Sequence, residues 1–138
     1  MNLNYIKPDE WKIVEEGFDK GNVTASESLF SLGNGAMGQR ANFEETYGGE
    51  TFQGSYIGGI YYPDKTRVGW WKNGYPEYFA KVLNAPNWIG IDVTVNGREL
   101  DLNKCKIIEF RRELDMKEGI LNRTFVAELE GGDTVKVN

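Results

Sequence analysis

The clearest patterning in the chain lies between Trp88 and Gly97, where Ile89, Ile91, Val93 and Val95 take alternate positions with Gly90, Asp92 and Thr94 between them. A period of two places those apolar side chains on one face of a pleated strand. Asn96-Gly97 follows, a pair favoured in two-residue type I′ turns because both positions need positive φ. Arg98 to Leu102 is then the returning strand, with Leu100 and Leu102 facing inward. A second hairpin is predicted between Cys105–Met116 and Ile120–Leu129, turning at Lys117-Glu118-Gly119. On its first arm Ile108, Phe110, Arg112 and Leu114 share a face; on its second, Leu121, Arg123, Phe125, Ala127 and Leu129 do. Glu130-Gly131-Gly132-Asp133 reverses the chain once more into Thr134–Val137.

The first half is patterned more weakly. Trp11 to Glu15 alternates, with Trp11 and Ile13 on one side, and Glu27 to Leu32 supplies Leu29, Phe30 and Leu32. Thr51 to Tyr62 mixes aromatic, β-branched and glycine residues ahead of a Pro63-Asp64 turn. Sustained helical periodicity is absent; the best helical candidate, Glu77 to Leu83, is short and lies between Pro76 and Pro86. Meandering strands of this kind predict an all-β fold, an antiparallel two-sheet sandwich, with residues 1–138 as part of one domain. Val135-Lys136-Val137 alternates like a strand in progress. An unfinished strand leaves an edge that proteins usually cover or charge, so the sandwich is expected to be truncated here and the natural chain to continue.

Composition narrows the function. With 40% hydrophobic and 13% aromatic residues, the 138-residue chain can bury a core. Sixteen basic residues against 21 acidic give a net charge of −5. That balance argues against nucleic acid, whose phosphates call for a basic face, and against an anionic membrane surface. Arg111-Arg112, the densest basic spot, is ringed by Glu109, Glu113 and Asp115 and reads as a solvated strand face. Met1 to Pro8 carries no signal-peptide core, and no run approaches the roughly 20 apolar residues of a membrane span. A cytoplasmic location is the expectation. Two glycosylation-type triplets, Asn22-Val23-Thr24 and Asn122-Arg123-Thr124, carry no weight without a secretion signal. Cys105 is the sole cysteine and there is no histidine. Internal disulfides, structural zinc and Ser-His-Asp or Cys-His nucleophile systems are thereby excluded. The chain is expected to hold no catalytic residue, no metal and no cofactor.

Three motifs invite chemistry. Gly33-Asn34-Gly35-Ala36-Met37-Gly38 fits G-x-G-x-x-G, but no apolar helical stripe follows it, so a turn between two strands explains it better than a dinucleotide site. Glu44-Glu45 suggests the paired carboxylates of glycoside-cleaving sites. Neighbours in an extended segment point to opposite faces, which favours a surface role for both. Phe52 to Trp88 holds the densest aromatic cluster, including Tyr56, Tyr61, Tyr62, Trp70, Trp71, Tyr78 and Phe79. Such rings can stack on sugar faces; core packing or an interface to a missing domain is the more ordinary use. Trp70 and Trp71, beside Lys72-Asn73-Gly74, read as loop-borne and, with Arg67, are the candidates for substrate contact or interface.

Glu27-Ser28-Leu29-Phe30-Ser31-Leu32-Gly33-Asn34-Gly35 and Met37-Gly38-Gln39-Arg40-Ala41-Asn42-Phe43-Glu44-Glu45 together resemble the opening signature of the glycoside hydrolase family 65 enzymes. Gly54-Ser55-Tyr56-Ile57-Gly58-Gly59-Ile60-Tyr61 is similar to that family's next block, and the likeness spans roughly residues 11 to 130. Ala36-Met37 departs from the larger pair that many members carry. The resemblance implies an N-terminal super-sandwich domain followed by a helical linker, an (α/α) barrel and a small C-terminal sheet. It implies an inverting phosphorylase of α-linked glucose disaccharides, with inorganic phosphate as co-substrate and a glutamic acid as general acid. That acid and the phosphate pocket belong to the barrel, so no catalytic residue carries over. The disaccharide would be met through the barrel, and a homodimer of the full-length enzyme is among the assemblies allowed. A hydrolase using water, or a free-standing carbohydrate-binding module, stays open beside it.

Overall fold

In the computed structural model, residues 4–66 and 76–138 are described. The organising element is the hairpin of β9 (Lys106–Asp115) and β10 (Ile120–Glu128), turned at Lys117–Gly119 with Gly119 at φ 67°. The predicted second hairpin is therefore present. β10 pairs onward with β11 (Thr134–Val137); β9 pairs on its other side with β2 (Lys12–Glu16), and β2 with β1 (Ile6–Pro8). This five-stranded sheet is antiparallel throughout.

One inward position is corrected. The register of β10 on β9 shifts between Val126 and Ala127, so Val126 faces Glu109 while Ala127 faces Ile107, and Ile108 is left over. A bulge of this kind changes which side the alternation faces. Ile108 is exposed and Ile107 packs toward the core, whereas Phe110, Arg112 and Leu114 keep the predicted face. The same alternation corrects the basic pair: Arg111 is exposed beside Glu16 and Glu113, but Arg112 is 1% exposed and lies inside.

A four-stranded antiparallel sheet is built from β3 (Leu32–Gly33), β4 (Met37–Gln39), β5 (Ser55–Lys65) and β6 (Tyr78–Asn84), in that order. The glycine motif is the turn between β3 and β4, as predicted. Asn34 Oδ1 accepts from the Ala36 and Met37 amides at 3.0 and 2.8 Å, and Gly35 takes φ 84°. Of Glu77–Leu83, the best helical candidate, residues Tyr78–Leu83 are extended in β6 and Glu77 lies just ahead of it. Its Tyr, Phe and Val residues suit an extended ribbon, and five consecutive pairings with Tyr61–Lys65 secure it.

Trp88–Gly97 is a further correction. Only β7 (Thr94–Val95) and β8 (Arg98–Glu99) pair, around the Asn96-Gly97 turn with φ 51° and 77°. The Val93 carbonyl still accepts from the Leu100 amide at 2.9 Å and Val93 packs against the core, but farther upstream the Ile91 amide goes to the Glu44 carbonyl at 2.7 Å and Ile91 is exposed. Leu100 and Leu102 are fully buried as expected. The sequence reading also passes over α1 (Val23–Leu29), whose buried residues are Val23, Ser26 and Glu27. Two of those three are polar, so no apolar stripe announces the helix.

The main core lies on the inner face of the five-stranded sheet. Phe110, Phe125, Ala127 and Leu129 meet Val23 of α1, Phe43, and Leu100, Leu102 and Cys105. Phe18, Phe43, Tyr47 and Phe110 form tilted and edge-to-face ring contacts with centroids 5.1–6.5 Å apart. A smaller cluster of Phe30, Ala41 and Leu114, with Ile13 and Leu32 against it, joins α1 and β3 to the same sheet.

Candidate functional site

The segment Ala41–Tyr47 brings buried apolar and charged side chains together, Ala41, Phe43 and Glu45 among them. It is pinned by backbone bonds: Ala41 N–H to the Glu27 carbonyl (2.9 Å) and Leu102 N–H to the Thr46 carbonyl (3.2 Å). Beside it opens a cleft of about 290 Å³, edged by Glu44, Tyr47, Phe52, Gln53, Asn87 and Asp92. A second hollow of about 640 Å³ adjoins it through Asn42, Glu44, Glu45 and Ile91, and reaches Arg112, Arg123 and Asn138.

Under these hollows runs a network of buried ions. Glu27, with no exposed surface, accepts from Asn42 Nδ2 at 3.0 Å, from the Phe52 amide at 3.3 Å and from the Thr51 hydroxyl, with Arg40 Nη2 at 3.7 Å. Glu15 accepts from Ser26 Oγ at 2.8 Å and lies 3.3 Å from Arg112 Nε. Burial pushes the Glu15 carboxyl above its ordinary value, against the pull of Arg112 and Ser26. Arg112 donates to the Ala41 carbonyl at 3.1 Å and is walled by the rings of Phe30, Phe43 and Phe110 at 5.2–5.5 Å. Burial, and then the nearby Arg123 charge, lower its pKa against the pull of Glu15. At the far side Asp101 accepts from the Gly48 and Asn103 amides, each at 2.9 Å, and pairs with Lys104 at 3.1 Å. Burial pushes that carboxyl upward, but the two amides and Lys104 outweigh it and hold its pKa low.

Glu44 and Glu45 are a correction. The chain bends there, so instead of diverging both carboxylates meet Arg123 Nη2, Glu45 at 2.6 Å. Glu45 is buried; Glu44 keeps 44% of its side chain exposed. The carboxylates of this network each meet an internal donor or cation, Glu15 Oε2 and Asp101 Oδ2 through ion pairs without a hydrogen bond. What the arrangement does chemically is fix the loops that shape the cleft.

Arg67, Trp70 and Trp71, the predicted contact candidates, lie outside the described residues. The residues that sequence reasoning missed are Glu15, Glu27, Arg112 and Arg123. The available signal was an arginine at an inward, alternating position on each arm of the hairpin, since a buried guanidinium requires a carboxylate from elsewhere. Of the aromatic cluster, Phe52, Tyr61, Tyr62, Tyr78, Phe79 and Trp88 are exposed, which removes the core-filling reading for them. Among the described residues no group of three or more Cys, Asp or Glu side chains has metal-holding geometry, and no helix is long and apolar enough to cross a membrane.

Comparison with known proteins fits this frame. The family described as "Glycosyl hydrolase family 65, N-terminal domain" matches residues 13–138. The chain is 53% identical over 130 residues to the maltose phosphorylase of Bacillus subtilis (strain 168), covering 94% of this chain and 17% of that protein. It is 39% identical over 123 residues to a kojibiose phosphorylase of Thermoanaerobacter brockii, covering 89% and 14%. A solved structure titled as a putative kojibiose phosphorylase from human microbiome superposes with TM-score 0.77 at 37% identity, covering 89% of this chain and 16% of the other. The chain therefore spans about a sixth of the length of these relatives. It belongs to glycosyl hydrolase family 65, as that family's N-terminal domain.

Proposed function

We propose that this chain is the non-catalytic N-terminal domain of an inverting phosphorylase that cleaves an α-linked glucose disaccharide with inorganic phosphate, in the manner of a maltose phosphorylase. The 53% identity over 94% of the chain to a maltose phosphorylase supports it most directly. The commitment of the buried carboxylates to internal donors is consistent with chemistry residing in a following barrel. In this reading the domain is a scaffold, phosphate is a co-substrate, no cofactor is used, and the enzyme works in the cytoplasm, as a homodimer. Trp70 and Trp71, with Arg67, serve as its contact residues for substrate or for an interface.

The test is the full-length gene product assayed with maltose. Phosphate-dependent release of β-glucose 1-phosphate and glucose, with no turnover by the 138-residue chain alone, is the expected result. Glucose release indifferent to phosphate would replace the phosphorylase with a hydrolase. Trp70→Ala/Trp71→Ala in the full-length enzyme should alter kinetics or assembly; unchanged values for both remove that contact role.

A further inference from the structure

β5 pairs with β4 through Ile57, Gly58 still donates to the Ala36 carbonyl at 2.7 Å, and from Tyr61 to Lys65 β5 pairs with β6 alone. The resulting two-stranded ribbon carries Tyr61, Tyr62, Tyr78, Phe79, Val82 and Leu83, all between 43% and 66% exposed. Directly paired residues share a face. Tyr61 with Val82, Pro63 with Ala80, and Lys65 with Tyr78 thus make one face, while Tyr62 with Lys81 and Asp64 with Phe79 make the other. The second face holds the Lys81–Asp64 ion pair. The first holds no charge except Lys65 at its end. An isolated hairpin with so much bare apolar surface is marginal in water, so the uncharged face calls for a cover.

We infer that the Tyr61–Pro63–Ala80–Val82 face of the β5–β6 ribbon is the docking surface for the polypeptide that follows residue 138, in the full-length protein proposed above. Two observations select this occupant. The relatives have about five-sixths of their length outside the matched region, so such a protein holds ample surface to cover the face. A second copy added at the β6 edge would extend the sheet without covering this face, and pairing all seven residues of β6 with its symmetry mate would also set Lys81 against Lys81, a like-charge contact of the sort that guards free edges. The inference rests on the phosphorylase reading only for the existence of the downstream portion.

Cysteine labelling of the full-length gene product tests it. Val82→Cys and Lys81→Cys are exposed single replacements on opposite faces, and a maleimide probe read at the Tyr78–Asn84 peptide reports each separately. The expected result is labelling at position 82 at least ten-fold slower than at 81, unchanged on dilution, and restored when Tyr61→Asp is added. Equal rates at 81 and 82 would overturn the inference, as would protection that disappears on dilution, since that assigns the face to a second copy. If the enzyme performs phosphorolysis while position 82 labels freely, the docking face falls and the functional reading stands. Protection at 82 without phosphorolysis leaves the docking face and removes the reading. A gene product ending at residue 138 removes both.

Discussion

Replacing Arg112 with methionine isolates the energetics of the buried network. Arg112 is 1% exposed and Glu15 4%. The change removes the guanidinium 3.3 Å from Glu15 and the donor to the Ala41 carbonyl, while methionine still fills space among Phe30, Phe43 and Phe110. Leaving a buried charge without its partner costs about 3–5 kcal/mol. With a urea slope of about 2 kcal/mol per molar, the unfolding midpoint should fall by about 1.5–2.5 M. Glu15→Met added to Arg112→Met should recover most of that loss, because an apolar pair of similar volume replaces an ion pair at little net cost. Tyr5 remains as a partner for Ser26 at 3.1 Å. The pH dependence has a definite sign. Glu15 is raised in the folded state, so its contribution is fully present below the ordinary carboxylate value and is lost as pH rises through the raised one. Removing Arg112 lifts the folded value further, so the deficit should be larger at pH 8 than at pH 5. Urea titrations by tryptophan fluorescence at both pH values decide it. A single-variant loss below about 1 kcal/mol, or a double variant less stable than the single, refutes the reasoning.

Asp101→Asn should destabilise by about 1–3 kcal/mol, since a carboxylate serving two amides and a lysine is replaced by a neutral acceptor. Because Asp101 is held low in the fold, the stability it contributes is present above the ordinary Asp value and lost as pH falls through the lowered one; acid titration should show the variant's deficit vanishing at the acid end. Gly97→Ala, at φ 77° in the β7–β8 turn, should cost about 1–2 kcal/mol, read as a lower Tm. Gly54→Ala places a Cβ 1.8 Å from Asn42 Oδ1, so Asn42 must leave Glu27; Gly54→Ala should therefore lower the urea midpoint more than Gly97→Ala does.

The parts of this fold legible in the sequence are those where alternation and turn chemistry agree. The β9–β10 hairpin, the Asn96-Gly97 turn and the Asn34 turn all carry residues whose local preference matches the final pairing. Alternation misled at Ile91, because a strand also requires a partner, and the Ile91 amide finds the Glu44 carbonyl instead. It misled by one residue at Ile108, since a bulge depends on the opposing strand. Helix α1 was hidden because Ser26 and Glu27 are buried through hydrogen bonds rather than by apolar character. The polar network could be half seen: Arg112 and Arg123 stood at inward positions, but their carboxylates come from residues about 80 to 100 positions away in the chain.

The Asn34 turn bears on where phosphate can be handled. A glycine-rich loop captures phosphate by leaving successive amide hydrogens vacant around a hollow. Here the carboxamide oxygen of Asn34 already sits in that position, taking the Ala36 and Met37 amides for itself. The loop is an anion cradle with a tenant tethered to its own backbone. The co-substrate of the proposed enzyme must be gathered by some other part of the polypeptide.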